Sequence, residues 1–132
     1  MTKLEHILLI DDDETNNFLV SHLINQRGLA NNIHVALNGQ EGLDKLKELC
    51  LQDIKVDLIL LDINMPLMNG FEFLDEYERL TKEQRSRSAI MMVSSSVHPA
   101  DLDRIKHYES VNDFIEKPLT EELMDKIMAQ MP

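Results

Sequence analysis

Four apolar runs in the 132-residue chain lead into a residue that can bind or transfer charge. Ile7-Leu8-Leu9-Ile10 stops at Asp11-Asp12-Asp13-Glu14, and Leu58-Ile59-Leu60-Leu61 stops at Asp62. Ala89-Ile90-Met91-Met92-Val93 stops at Ser94-Ser95-Ser96, and Phe114-Ile115 is soon followed by Lys117-Pro118. Asp11, Asp12 and Asp62 are hard oxygen ligands, Ser94 offers a hydroxyl and Lys117 an ammonium. Brought together, they would supply a cation site, an anion clamp and a carboxylate nucleophile, which is the equipment of phosphoryl transfer to an aspartate. Each signal alone is weak. An acidic run is usually a solvated loop, and a lone Asp or Ser after an apolar run usually ends a strand. Their meaning depends on whether the fold gathers them.

The runs are too short for stable helices and are bounded by polar or turn residues, so they read as strands buried on both faces, as in a parallel sheet. Ile33-His34-Val35 alternates and suits an edge strand, with His34 facing solvent. Between the strands lie apolar residues at helical spacing. Val20, Leu23 and Ile24, with Leu19 beside them, end at Gly28, the position of a C′ glycine. Asn38 and Glu41 resemble a capping box ahead of Leu43, Leu46, Leu49 and Cys50. Phe71, Leu74 and Tyr77 give a third helix starting near Asn69, ended by the polar stretch Thr81 to Ser88. Pro99 suits the first turn of a fourth, with Leu102 and Ile105 inside. Thr120 caps a fifth, with Leu123, Ile127 and Met131 as its stripe. Ser110 precedes the last strand. Five strand–helix alternations predict an α/β fold with helices on both faces of a doubly wound five-stranded parallel sheet, order 2-1-3-4-5.

That order makes strands 1 and 3 neighbours about 4.8 Å apart, so Asp11 and Asp12 would lie beside Asp62. Crowded carboxylates repel unless a cation or proton joins them. Mg²⁺ fits best, because carboxylates, waters and phosphate oxygens commonly hold it. Strand 4 flanks strand 3, so the Ser94 hydroxyl reaches the same spot. Lys117, about 10 Å out on strand 5, can span most of the gap. Met65-Pro66 and Asn69-Gly70 mark a turning loop after Asp62. In open α/β sheets ligands bind at this C-terminal strand edge.

Thirteen basic against 24 acidic residues leave a net charge of −11, which argues against nucleic-acid and anionic-membrane partners. Cys50 is the one cysteine, so no intramolecular disulfide forms, and a small core residue is expected there. No secretory leader precedes Ile7 and no run approaches membrane-spanning length, so a cytoplasmic location is expected.

The motifs Ile10-Asp11-Asp12, Leu61-Asp62-Ile63-Asn64-Met65-Pro66-Leu67-Met68-Asn69-Gly70, Val93-Ser94 and Lys117-Pro118 resemble those of the response-regulator receiver domain, especially its single-domain chemotaxis-type members. The resemblance covers essentially residues 1–132 and implies a flavodoxin-like (βα)5 fold. It implies that Asp62 is the phospho-acceptor of a two-component phosphorelay rather than part of a turnover enzyme. Asp12 would ligate Mg²⁺ directly and Asp11 largely through water, with Asp62 and the carbonyl of Asn64 completing the protein ligands. Ser94 would bind a phosphoryl oxygen after activation, Lys117 would neutralise its charge, and the bond to Pro118 would be cis. The implied phosphodonor is a sensor histidine kinase or histidine phosphotransfer protein. Output would pass to an unidentified protein target through a surface of the fourth helix, fifth strand and fifth helix. Three positions depart from the family pattern. Phe114 stands where the switch aromatic is often Tyr, Ser94 where Thr is commoner, and Ser110 where Gly often precedes strand 5.

A rival comes from a different class. Asp11-Asp12-Asp13-Glu14-Thr15 fits D-x-D-x-T of haloacid dehalogenase-like phosphatases, with Asp11 as nucleophile and Asp13 as acid/base. That family needs a further acidic strand end after its lysine, and the reading leaves the Asp62 loop unexplained. An EF-hand fails at its sixth position, where Asn16 replaces the required Gly.

Overall fold

The computed structural model describes residues 3–85, 88–96 and 98–131. In chain order the elements are β1 (Leu4–Ile10), α1 (Glu14–Arg27), β2 (Ala30–Ala36), α2 (Gly39–Leu51), β3 (Leu58–Asp62), α3 (Gly70–Tyr77), α4 (Lys82–Arg85), β4 (Ala89–Ser94), α5 (Pro99–Ile105), β5 (Val111–Glu116) and α6 (Glu121–Ala129). The sheet is parallel throughout and its order is β2-β1-β3-β4-β5, as expected.

The apolar runs become central strands because both their faces have somewhere to go. Along β3 all five residues are buried. Ile59 and Leu61 point to the face covered by α2 and α3, among Leu8, Ile10, Leu46 and Phe73. Leu58 and Leu60 point to the face covered by α1 and α6, among Ile7, Leu9, Ile24 and Ile127. Burying each such side chain contributes about 1.5–3 kcal/mol, which makes the centre of the sheet the stiffest place on which to mount a site.

The helices start and stop on local signals. Asp13 caps α1 by accepting from the Asn16 N–H, and Gly28 ends it with φ 60°. Asn38 accepts from the Glu41 N–H, but Glu41 reaches the N–H of Leu37 rather than that of Asn38, so the expected reciprocal box is incomplete. A complete box forms instead at α3, between Asn69 and Glu72. Thr120 accepts from the Leu123 N–H at the start of α6.

Several expectations are corrected. The polar stretch after α3 holds the one-turn helix α4, so the predicted fourth and fifth helices are α5 and α6; Ser86 and Arg87 of that stretch lie outside the described residues. Its signal was Thr81-x-x-Gln84, in which each residue's side chain accepts from the other's backbone N–H. The α6 stripe is Met124, Ile127 and Met128, while Leu123 and Met131 are only partly buried, because the helix ends before Met131. His34 does not simply face solvent. It is half-buried, and its Nε2 lies 3.0 Å from Nδ1 of His6 on β1. Burial and the neighbouring His6 push its imidazole below its ordinary value, which favours the neutral ring that such a contact needs. Cys50 is half-buried rather than in the core. Leu19 is exposed on α1, where Asn17, Val20 and Ile24 take the buried positions. Ser110 occupies the turn before β5 with no left-handed φ, so glycine is not required there.

Candidate functional site

The C-terminal edge of the sheet gathers the residues that the sequence singles out. Ile10 pairs with Leu61 and Asp62 with Val93, so Asp11, Asp62 and Ser94 emerge at nearly one level. Ser94 pairs with Glu116, and the Lys117 N–H donates to the Ser94 carbonyl at 2.9 Å, which brings the lysine to the same edge. The Lys117–Pro118 bond is cis. Asp11, Asp12 and Asp62 each offer an oxygen within 4.8 Å of the others'. Asp11 and Asp62 are buried and Asp12 is exposed, so the cluster opens to solvent on one side. Such an all-oxygen set fits a small divalent cation that keeps some of its waters. Asn64 is exposed in the loop that follows.

Lys117 is shared unequally. Its Nζ lies 2.7 Å from Oδ2 of Asp11 and 3.6 Å from Oδ1 of Asp62. Asp11 is further held by the Asp13 N–H on Oδ1 and the Asn16 amide on Oδ2, both at 2.9 Å. Asp62 has fewer such partners. Burial, with the Asp11 charge second, pushes its carboxyl up to about 6 despite the opposing ammonium of Lys117. Burial alone would lower the Lys117 ammonium, but the hydrogen bond to Asp11 and the charge of Asp62 outweigh it and hold the group above its ordinary value. Of the two buried carboxylates, the central one, Asp62, is therefore the less supported.

Two expected residues are not in contact with this cluster. The Ser94 hydroxyl donates to the Ser96 carbonyl at 2.9 Å and is satisfied within its own loop. Phe114 pairs with Met92 in the sheet and packs half-buried against the α2–α3 side of the core, the side on which Ile105 and Tyr108 also pack. Sequence reading missed Asn16 and Asn17. Asn16 binds the Asp11 carboxylate, and the buried Asn17 donates to the Asp11 carbonyl at 2.9 Å. The signal was present: an N-cap Asp at 13 with an amide three residues on puts that amide in the first turn, beside the strand tip. The phosphatase reading finds no support, because the carboxylate of Asp13 is turned to capping α1 instead of acting over Asp11.

Leu67, in the loop after Asp62, has φ 65° and is 87% exposed. A leucine there carries left-handed strain with no packing to offset it. Leu67→Asn is expected to raise stability by about 0.5–1 kcal/mol in urea melts. An unchanged midpoint would show that the loop relaxes without cost.

Comparison with known proteins converges on one family. The model of the response regulator receiver domain matches residues 7–129. The transcriptional regulatory protein CpxR of Klebsiella pneumoniae is 32% identical over 128 residues, 96% of this chain and 49% of that protein. The autoinducer 1 sensor kinase/phosphatase LuxN of Vibrio campbellii is 34% identical over 114 residues, 86% of this chain and 12% of that protein. The chain thus spans half or less of these curated relatives. The crystal structure of a two component response regulator from Cytophaga hutchinsonii is 29% identical with a TM-score of 0.89, covering 98% of this chain and 97% of its own.

Proposed function

The chain belongs to the response regulator receiver family of two-component systems, and from that premise we propose that Asp62 accepts a phosphoryl group from a histidine of a sensor kinase or phosphotransfer protein. The observation that carries this is the isolation of Asp62, buried at the strand tip between the better-satisfied Asp11 and a lysine 3.6 Å away. The Asp62 carboxylate attacks phosphorus, the bond from phosphorus to the donor imidazole breaks, and the nitrogen lone pair leaves with the imidazole. Asp11, Asp12, Asp62 and the Asn64 carbonyl would hold Mg²⁺, which when bound neutralises charge on the phosphoryl oxygens. Lys117 is near enough to follow the new charge. Phe18 and Leu19, 69% and 58% exposed about one turn into α1, suit an apolar contact with the phosphodonor. With Mg²⁺ and acetyl phosphate the wild type should incorporate radiolabelled phosphoryl groups to a limit of one per chain, and Asp62→Asn none. Equal labelling of the variant would refute the assignment.

The output reading rests on α5. No residue of α5 is fully buried. The Arg104 guanidinium sits 4.2 Å from the Phe71 ring centroid, and the nearby Tyr108 hydroxyl donates to Asp75 at 2.8 Å. A phosphoryl group on Asp62 brings acceptor oxygens that draw the Ser94 hydroxyl away from Ser96. The loop then shifts, α5, which has no fully buried residue, moves with it, and Phe114 fills the space. The altered α5–β5–α6 surface meets the target protein. Phosphorylation selects this state only through its differential interaction with the two conformations. Ser94→Ala should keep phosphorylation but lose most of the phosphate-dependent change in the Phe114 ring signals by NMR. Identical ring responses in wild type and variant would exclude this route.

A further inference from the structure

We propose that Asn16 is the positioning residue that keeps Asp11 aligned while Lys117 changes partner, an inference that rests on the phospho-acceptor reading above. In the unphosphorylated protein the Asp11 carboxylate takes three donors: the Asp13 N–H on Oδ1, and the Asn16 amide and Lys117 ammonium on Oδ2. The lysine is also 3.6 Å from Oδ1 of Asp62. A phosphoryl group on Asp62 adds about −1.5 to −2 of charge and three acceptor oxygens, a stronger attraction for the ammonium than one carboxylate oxygen. As Lys117 turns to it, Oδ2 of Asp11 loses its charged donor. The Asn16 amide is then the one side-chain donor left on that oxygen among the described residues.

Asn16 is built for a fixed role. Its own backbone N–H is held by the Asp13 side chain at 3.1 Å. Its neighbour Asn17 donates from its buried side chain to the Asp11 carbonyl, clamping the same turn of α1 to the same aspartate. A neutral amide also differs from a second lysine in kind. It donates a hydrogen bond without adding charge that a phosphoryl group would pull away. Asn16 therefore matters most in the phosphorylated state, and little before it, when Lys117 still covers Asp11. An amide that merely stabilised the first turn of α1 would matter equally in both.

The test compares Mg²⁺ alone with Mg²⁺ plus beryllium fluoride, a phosphoryl mimic, on the full chain by calorimetry. Asn16→Leu keeps the shape and removes the donor, and Asn16→Gln keeps the donor. In Asn16→Leu, beryllium fluoride affinity at saturating Mg²⁺ is expected to fall about tenfold, with Mg²⁺ affinity changed less than about threefold. Asn16→Gln should recover most of the loss. In the wild type, NMR of the Asn16 side-chain amide should show its hydrogen bond retained with the mimic bound. Equal weakening of both affinities, weakening of neither, or loss of that hydrogen bond on binding the mimic would overturn the inference while leaving Asp62 as acceptor. A wild type that does not bind beryllium fluoride would overturn the acceptor reading and this inference with it.

Discussion

Asp62→Asn is expected to make the metal-free protein more stable at pH 7 by about 2–3 kcal/mol. The Asp62 carboxyl is raised from 3.8 to about 6 in the folded protein, by burial first and by Asp11 second. A carboxyl raised on folding favours the folded state while it is protonated. Its contribution is full below about pH 4 and is lost as pH rises through about 6. Above that, the folded state carries a buried negative charge beside two others, and asparagine removes it while keeping the shape. The advantage of the variant should therefore grow between pH 4 and about 6.5 and then level off. Mg²⁺ should stabilise the wild type by mass action and narrow the gap. Urea melts of both proteins across this range, with and without Mg²⁺, measure the difference directly. A variant no more stable at pH 7, or a pH-independent advantage, would contradict a strained carboxylate cluster.

Gly70→Ala is expected to cost about 3 kcal/mol or more, beyond the upper end of ordinary overpacking. A Cβ at Gly70 would come within 2.6 Å of the Asp62 carbonyl oxygen, 3.0 Å of Ile63 Cα and 3.1 Å of Met92 Cε. Two of those atoms are backbone at the tip of β3, where the Gly70 N–H already donates to the Ile63 carbonyl at 2.8 Å. Neither α3 nor β3 can give way without moving Asp62, so acetyl phosphate labelling should fall along with stability. Gly28→Ala is the control. Gly28 has φ +60° but nothing within 4 Å of an added Cβ, so only the left-handed backbone penalises alanine, by roughly 1–2 kcal/mol. Denaturation midpoints should rank wild type above Gly28→Ala and Gly28→Ala above Gly70→Ala. The reverse order would mean that the start of α3 is not pressed against the site.

The apolar runs made the strands legible, because a strand buried on both faces must be apolar throughout, and β3 is. With five alternations the strand order followed from a topology rule, and it brought Asp11, Asp62 and Lys117 together on the sheet edge. What burial patterns do not encode is which of several nearby acceptors a donor chooses. Lys117 lies closer to Asp11 than to Asp62, and the Ser94 hydroxyl satisfies itself on Ser96, through loop and side-chain geometry that no periodicity reports. Asn16 escaped notice because a half-buried amide on a helix has no apolar signature. His34 escaped because alternation on an edge strand says which side chains leave the core and not what they meet, here His6. The one-turn α4 escaped because it has no buried residue, and only its capping pair marks it.

Asp62 is the residue proposed to receive phosphate, and the position of the modified side chain tests this directly. After incubation with Mg²⁺ and acetyl phosphate, followed by borohydride to convert the acyl phosphate to a stable alcohol, peptide mass spectrometry locates the modified side chain. The reduced residue should be Asp62 alone, in a reaction abolished by EDTA. Modification at Asp11 or Asp12 with Asp62 intact, or modification of Asp62 that survives metal removal, would contradict the account.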